Sequence, residues 1–98
     1  MYIRTKNGVY EVSEYEPLEY TKIVYGSKII SQSENLEELC DRFVVMDKET
    51  KEVMNIVTFL AYAKLWSYCK YNIYGAIWCE WGLKYVAKLD DKGDLELI

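Results

Sequence analysis

The chain of 98 residues contains no histidine. That absence removes the commonest general base, the commonest metal ligand, and the Ser-His and Cys-His pairings of nucleophilic catalysis. Enzymes that work through carboxylates or metals remain open, but the expectation moves toward a binding protein and away from an enzyme. The three cysteines, Cys40, Cys69 and Cys79, are odd in number and lack a C-x-x-C pair, so neither a disulfide framework nor a zinc knuckle is indicated. Three free thiols suit a reducing cytosol, and a cytoplasmic setting is expected. Tyr2-Ile3-Arg4-Thr5-Lys6 is polar and alternating, unlike the apolar core of a signal peptide.

A basic stripe is also lacking. Twelve basic residues face 16 acidic ones for a net charge of −4, and the lysines are scattered singly. Direct binding to DNA or RNA is therefore not expected, because it normally draws on clustered cations that displace counterions. A charge of −4 is also too mild for a nucleic-acid mimic. No apolar run is long enough for a membrane span: the most apolar segment, Val53–Cys69, is interrupted by Asn55, Thr58, Lys64 and Ser67. With one proline and a hydrophobic share of 51%, disorder is not indicated either. A chain of this size buries roughly 65% of its unfolded surface on folding, enough for one modest core, and residues 1–98 read as a single domain.

Aromatic side chains are abundant: ten Tyr, three Trp and two Phe. A small core cannot enclose them all, so several must reach the surface, either as a half-wet aromatic layer or as a partner surface.

The pattern along the chain predicts an α+β fold. Its antiparallel sheet has about five to seven short strands, with an N-terminal hairpin and a C-terminal meander, packed against two helices. Tyr2–Thr5 and Val9–Val12 flank Lys6-Asn7-Gly8, where Asn-Gly suits a type I′ hairpin turn. Ser13–Tyr20, with Pro17, reads as a loop. Thr21–Tyr25 and Lys28–Ser31 read as a second hairpin, or as one strand bulged at Gly26-Ser27. Ser31 and Glu34 have capping-box spacing, with Ser33 a competing cap. Leu36, Leu39, Cys40 and Phe43 come next at helical spacing, predicting the first helix. Val44–Met46 could extend it or form a strand. Val53–Cys69 reads as a largely buried second helix, although its polar residues do not share one face. Ile73–Glu80 and Leu83–Leu89 read as strands, the latter with Leu83, Tyr85, Ala87 and Leu89 on one face and Lys84 and Lys88 on the other. Asp90–Gly93 is a turn, and Asp94–Ile98 completes the meander.

Few constellations carry chemistry. Asp90, Asp91 and Asp94 surround Gly93, but a calcium loop needs a longer ligand array ending in a bidentate Glu, so turn chemistry is the better reading. Gly26-Ser27-Lys28 lacks the upstream glycine of a phosphate loop. No electropositive setting or base is visible for a catalytic thiol. No catalytic, cofactor-binding or metal-binding residue is therefore assigned. Two groups suit partner contacts. Glu11, Glu14, Glu16 and Glu19 interleave with Tyr10, Tyr15 and Tyr20, giving either a solvated acidic loop or a docking patch for a basic surface. Trp78, Glu80 and Trp81 sit with Gly82 at a bend between strands. Trp81 there is either a lid on a neighbouring element or a hot spot. Tyr15, Glu16, Tyr20, Trp78 and Trp81 are the candidate contacts.

Glu34–Val44, Tyr74–Trp78 and Gly82–Ile98, together with the first hairpin Tyr2–Val12, resemble a group of small accessory proteins. These are encoded by phages and prophages of Gram-positive bacteria (Firmicutes). The likeness covers roughly half the chain, and its C-terminal run is the more specific part; Asp47–Asn72 has no counterpart. It carries over no activity and no functional residues. It implies a setting, the cytosol of a bacterial host, and a class of action: binding and modulating a host protein, with inhibitors of defence enzymes such as CRISPR nucleases a prominent case. Two other readings stand beside it. One is a small-molecule or nucleotide sponge, with aromatics stacking bases and Arg4, Lys22 or Lys28 pairing phosphates. The other is a homo-oligomer joined through an exposed strand edge or the Val53–Cys69 segment.

Overall fold

The computed structural model describes residues 1–12, 28–66 and 69–98. Among them eight strands form two antiparallel sheets. The smaller sheet has the order β2-β1-β3, from β1 (Tyr2–Thr5), β2 (Gly8–Glu11) and β3 (Ser31–Ser33). The larger runs β5-β4-β6-β7-β8, from β4 (Arg42–Asp47), β5 (Val53–Val57), β6 (Tyr71–Cys79), β7 (Gly82–Leu89) and β8 (Leu95–Leu97). Helical structure is confined, among the described residues, to a 3₁₀ turn at Leu36–Leu39 and one turn of helix, α1, at Leu60–Ala63. The fold is thus a sheet-rich domain, and the two expected helices are not present. No helix among the described residues is long and apolar enough to cross a membrane.

The two helix expectations fail at different points. Leu36 and Leu39 are buried as expected, but the chain straightens at Cys40 (φ −89°, ψ 138°). Phe43 and Val45 are then buried from a strand, not from a third helical turn. β4 lies between β5 and β6, where the β-branched Val44 and Val45 pack on a pleated surface better than against a helical turn. Val44–Met46 is therefore strand. The cap is neither Ser31 nor Ser33: Asn35 Oδ1 accepts from Glu37 N–H at 3.2 Å. Ser33 Oγ instead accepts from Asn35 N–H at 3.0 Å and donates to Glu38 Oε2 at 2.6 Å. Within residues 53–66 the chain forms β5 and α1, which is why Asn55, Thr58 and Lys64 share no helical face.

The hairpins fare better. β1 and β2 pair with Thr5 opposite Gly8, but the turn residues are Lys6 and Asn7, and neither has a positive φ. The turn is therefore not type I′; Thr5 Oγ1 accepts the Asn7 N–H at 3.1 Å instead. Lys28–Ile30 is not strand, and β3 begins only at Ser31. The expected loop at residues 13–20 and the strand at residues 21–25 lie outside the described residues. At the C-terminus, Asp90 Oδ1 accepts from Lys92 and Asp94 N–H groups, both at 2.9 Å. Gly93 takes φ +88°, open to glycine without a Cβ penalty. These bonds draw the Asp90 carboxyl below its ordinary value, the Asp94 N–H most strongly. The aspartates close a turn, as expected.

β7 departs from simple alternation. Its register with β6 shifts between Gly75 and Ala76, and Val86 and Ala87 are both buried. The extra residue swaps the two faces. Ala87 and Leu89 line the core side, while Leu83 and Tyr85 share the opposite side with Trp78 and Ala76. Lys84 reaches the smaller sheet, donating to Asn7 C=O at 2.6 Å.

The two core clusters lie on one face of the large sheet. Val9, Leu36, Leu39, Ile77, Val86 and Ala87 form one cluster, and Phe43, Val45, Leu60, Ala63 and Ile73 a second. Cys40 and Leu95 border both. Phe43, at 2% exposure, contributes about 1.5–3 kcal/mol by burial. Gly75 in β6 is where Cys40 fits: a Cβ there would stand 2.7 Å from Cys40 Sγ.

Candidate interaction surface

The other face of the large sheet carries the candidate surface. Register places Arg42, Tyr74, Trp78 and Tyr85 on it, together with Val44 and Ala76, which are buried. The Tyr74 and Tyr85 rings stack with centroids 5.0 Å apart and planes at 12°. Trp78 is 52% exposed, and the Arg42 guanidinium lies 6.0 Å from its ring centroid, the outer limit of a cation–π contact.

β6 and β7 are joined by Glu80 and Trp81 alone, with Cys79 opposite Gly82. Gly82 has φ +117°, a region essentially reserved for glycine. A corner this short has no room to fold a large side chain back, and Trp81 is 94% exposed. It is not a lid. Trp78 and Trp81 therefore project from one hairpin end, and of the two alternatives the sequence left open for Trp81 the exposed one holds. Tyr15, Glu16 and Tyr20 lie outside the described residues, so their relation to this surface is not described.

The signal missed in the sequence is what fixes the hairpin end. Asp41 Oδ2 accepts the Trp78 N–H at 2.7 Å. The same carboxylate takes a bidentate pair from Arg4 of β1, Nη1 to Oδ1 at 2.6 Å and Nη2 to Oδ2 at 2.7 Å. Arg4 and Asp41 side chains are 19% and 23% exposed. Burial pushes the Asp41 carboxyl up, but the Arg4 pair and the Trp78 N–H outweigh it and hold the group below 3.8. One carboxylate thus ties the smaller sheet to the strand that carries Trp78. Residues 37 positions apart leave no local pattern by which to find this. It also alters the nucleotide reading: Arg4 is committed to Asp41, and Lys22 lies outside the described residues.

The remaining chemistry is sparse. Cys40 is pushed up to about 11, first by burial and then by the Asp41 charge, which makes it an inert packing thiol. A groove of about 520 Å³ beside Asp41 is lined by Glu37, Glu38, Phe43 and Phe59 among others; its carboxylates would repel a phosphate. Among the described residues no group of three or more Cys, Asp and Glu is placed to hold a metal ion. No protein-family model matches the chain, and no curated protein or solved structure is significantly similar to it.

Proposed function

We propose that this chain is a non-enzymatic accessory protein of a phage or other mobile element that binds and modulates a protein of its bacterial host. A host defence enzyme such as a CRISPR nuclease is one target class. The observation that carries the reading is Trp81, 94% exposed on a two-residue corner, with Trp78 beside it at 52%. The Trp81 indole, left in water, adds almost no burial to the fold. Tryptophan on a rigid, pre-positioned element is what interface hot spots are made of, because little entropy is lost when it docks. The Arg4–Asp41–Trp78 node supports this by holding the hairpin end before a partner arrives.

The test compares the wild type with the double variant Trp78→Ala, Trp81→Ala. Affinity capture from lysate of a Gram-positive host supplies a candidate, and titration of the purified pair measures it. Loss of two hot-spot residues should weaken binding by about 30-fold or more, at ~2 kcal/mol or above. A partner bound equally well by the double variant, or no specific partner in any host tested, overturns the proposal.

A further inference from the structure

The β5 edge of the large sheet presents a different kind of surface. Among the described residues β5 is the terminal strand, and its sequence Val-Met-Asn-Ile-Val holds no charge and no proline. Val53, Met54 and Ile56 are 48%, 43% and 49% exposed. Edge strands of soluble proteins are ordinarily blunted by lysine, proline or a covering element, because their free amides and carbonyls are a template for another strand. In β5 a register shift opposite Val45/Met46 and one side chain do this work: Ile56 N–H donates to Asn55 Oδ1 at 2.9 Å.

We infer that β5 is a self-association edge, pairing antiparallel with β5 of a second copy about a two-fold axis near Asn55, so that the two five-stranded sheets run on as one. A second copy fits for reasons specific to this strand. Antiparallel pairing about a two-fold sets like residues opposite one another or nearly so, and an uncharged strand meets itself without the like-charge penalty that opposed lysines or glutamates incur. The overall charge of −4 works against self-association at the acidic parts of the surface, and β5 is free of it. Asn55, nearest the axis, carries both a donor and an acceptor, so two copies satisfy each other while Ile56 N–H exchanges Asn55 Oδ1 for a carbonyl of the partner strand. Counted from an axis at Asn55, Ile56 of one copy lies against Met54 of the second, which removes apolar side chains that are 49% and 43% exposed from water on both sides. A contact through one edge is small and belongs to the weak, concentration-dependent class.

Light scattering coupled to size exclusion, over loading concentrations from about 1 to about 200 µM, reads this directly, because mass action makes the dimer concentration-dependent. The expected result is a rise from 11.6 kDa toward twice that mass. Ile56→Lys should abolish the rise by charging the edge. Asn55→Asp should also abolish it, since it keeps an acceptor for Ile56 N–H but sets two carboxylates together at the axis. Circular dichroism should match the wild type for both. The double variant Trp78→Ala, Trp81→Ala should still dimerise, which separates this edge from the hairpin surface. A wild type that stays monomeric throughout, a dimer indifferent to both edge substitutions, or growth beyond a dimer overturns the inference.

Discussion

Replacing Asp41 by asparagine removes one charge while keeping the shape of the side chain, which isolates the electrostatic part of the tie between the sheets. Asp41 receives three hydrogen bonds, two from Arg4 and one from Trp78 N–H. Asparagine can still accept the Trp78 N–H, but it offers the guanidinium a neutral oxygen and an amide in place of two anionic oxygens. Breaking a fully buried ion pair costs about 3–5 kcal/mol, whereas exposed pairs contribute about 0–1. With 19% and 23% exposure, solvent screening discounts the first figure without reaching the second, giving about 2 kcal/mol at pH 7. For a domain of this length that is a fall in Tm of about 8–16 °C. The folded-state pKa lies below the ordinary 3.8, so the stabilisation is full above that value and fades as pH falls through the lower folded-state value. Urea unfolding followed by tryptophan fluorescence, for wild type and variant from pH 7 to pH 2.5, should show a gap that closes only below about pH 3.8. A cycle with Arg4→Met should return most of the gap as coupling between the two side chains. A difference under about 0.5 kcal/mol at pH 7, or one that stays constant into acid, would refute the assignment of Asp41 as the tie between the sheets.

Two further predictions concern Cys40. Gly75→Ala should cost about 1–3 kcal/mol by overpacking, since its Cβ would stand 2.7 Å from Cys40 Sγ and 3.4 Å from Ala87 Cβ. Adding Cys40→Ala should recover part of that loss, and chemical denaturation of the four proteins decides it. Alkylation by iodoacetamide at pH 8, mapped by mass spectrometry, should modify the exposed Cys69 well before Cys40. With Cys40 pushed up to about 11, only about one thiol in a thousand is ionised there. Equal labelling in the folded protein would contradict its burial.

The sequence by itself determined the features that are local or compositional. The C-terminal meander and the Asp90–Gly93 turn were legible because turn residues and strand alternation act within a few positions; the N-terminal hairpin was legible in its strands, though its turn is not the Asn-Gly type expected. The absence of histidine and of a basic stripe is likewise a property of the chain alone. The bend carrying Trp78 and Trp81 was legible, but the sequence left Trp81 open between a lid and an exposed residue, and its 94% exposure was decided by the two-residue corner of the folded hairpin.

Tertiary structure decided the middle of the chain. Leu36, Leu39 and Phe43 satisfy helical spacing, and they are equally satisfied by a 3₁₀ turn that runs into a strand. What tipped the balance was the slot for β4 between β5 and β6, which a helix could not fill. Val53–Val57 is an apolar run whose period distinguishes strand from helix poorly, and pairing with β4 made it an edge. The bulge in β7 exchanged the faces of Leu83 and Tyr85 relative to Ala87, and strict alternation cannot anticipate an extra residue. The Arg4–Asp41–Trp78 node was invisible for the same reason: an ion pair spanning 37 positions exists only once two sheets have been brought together by the burial of other residues.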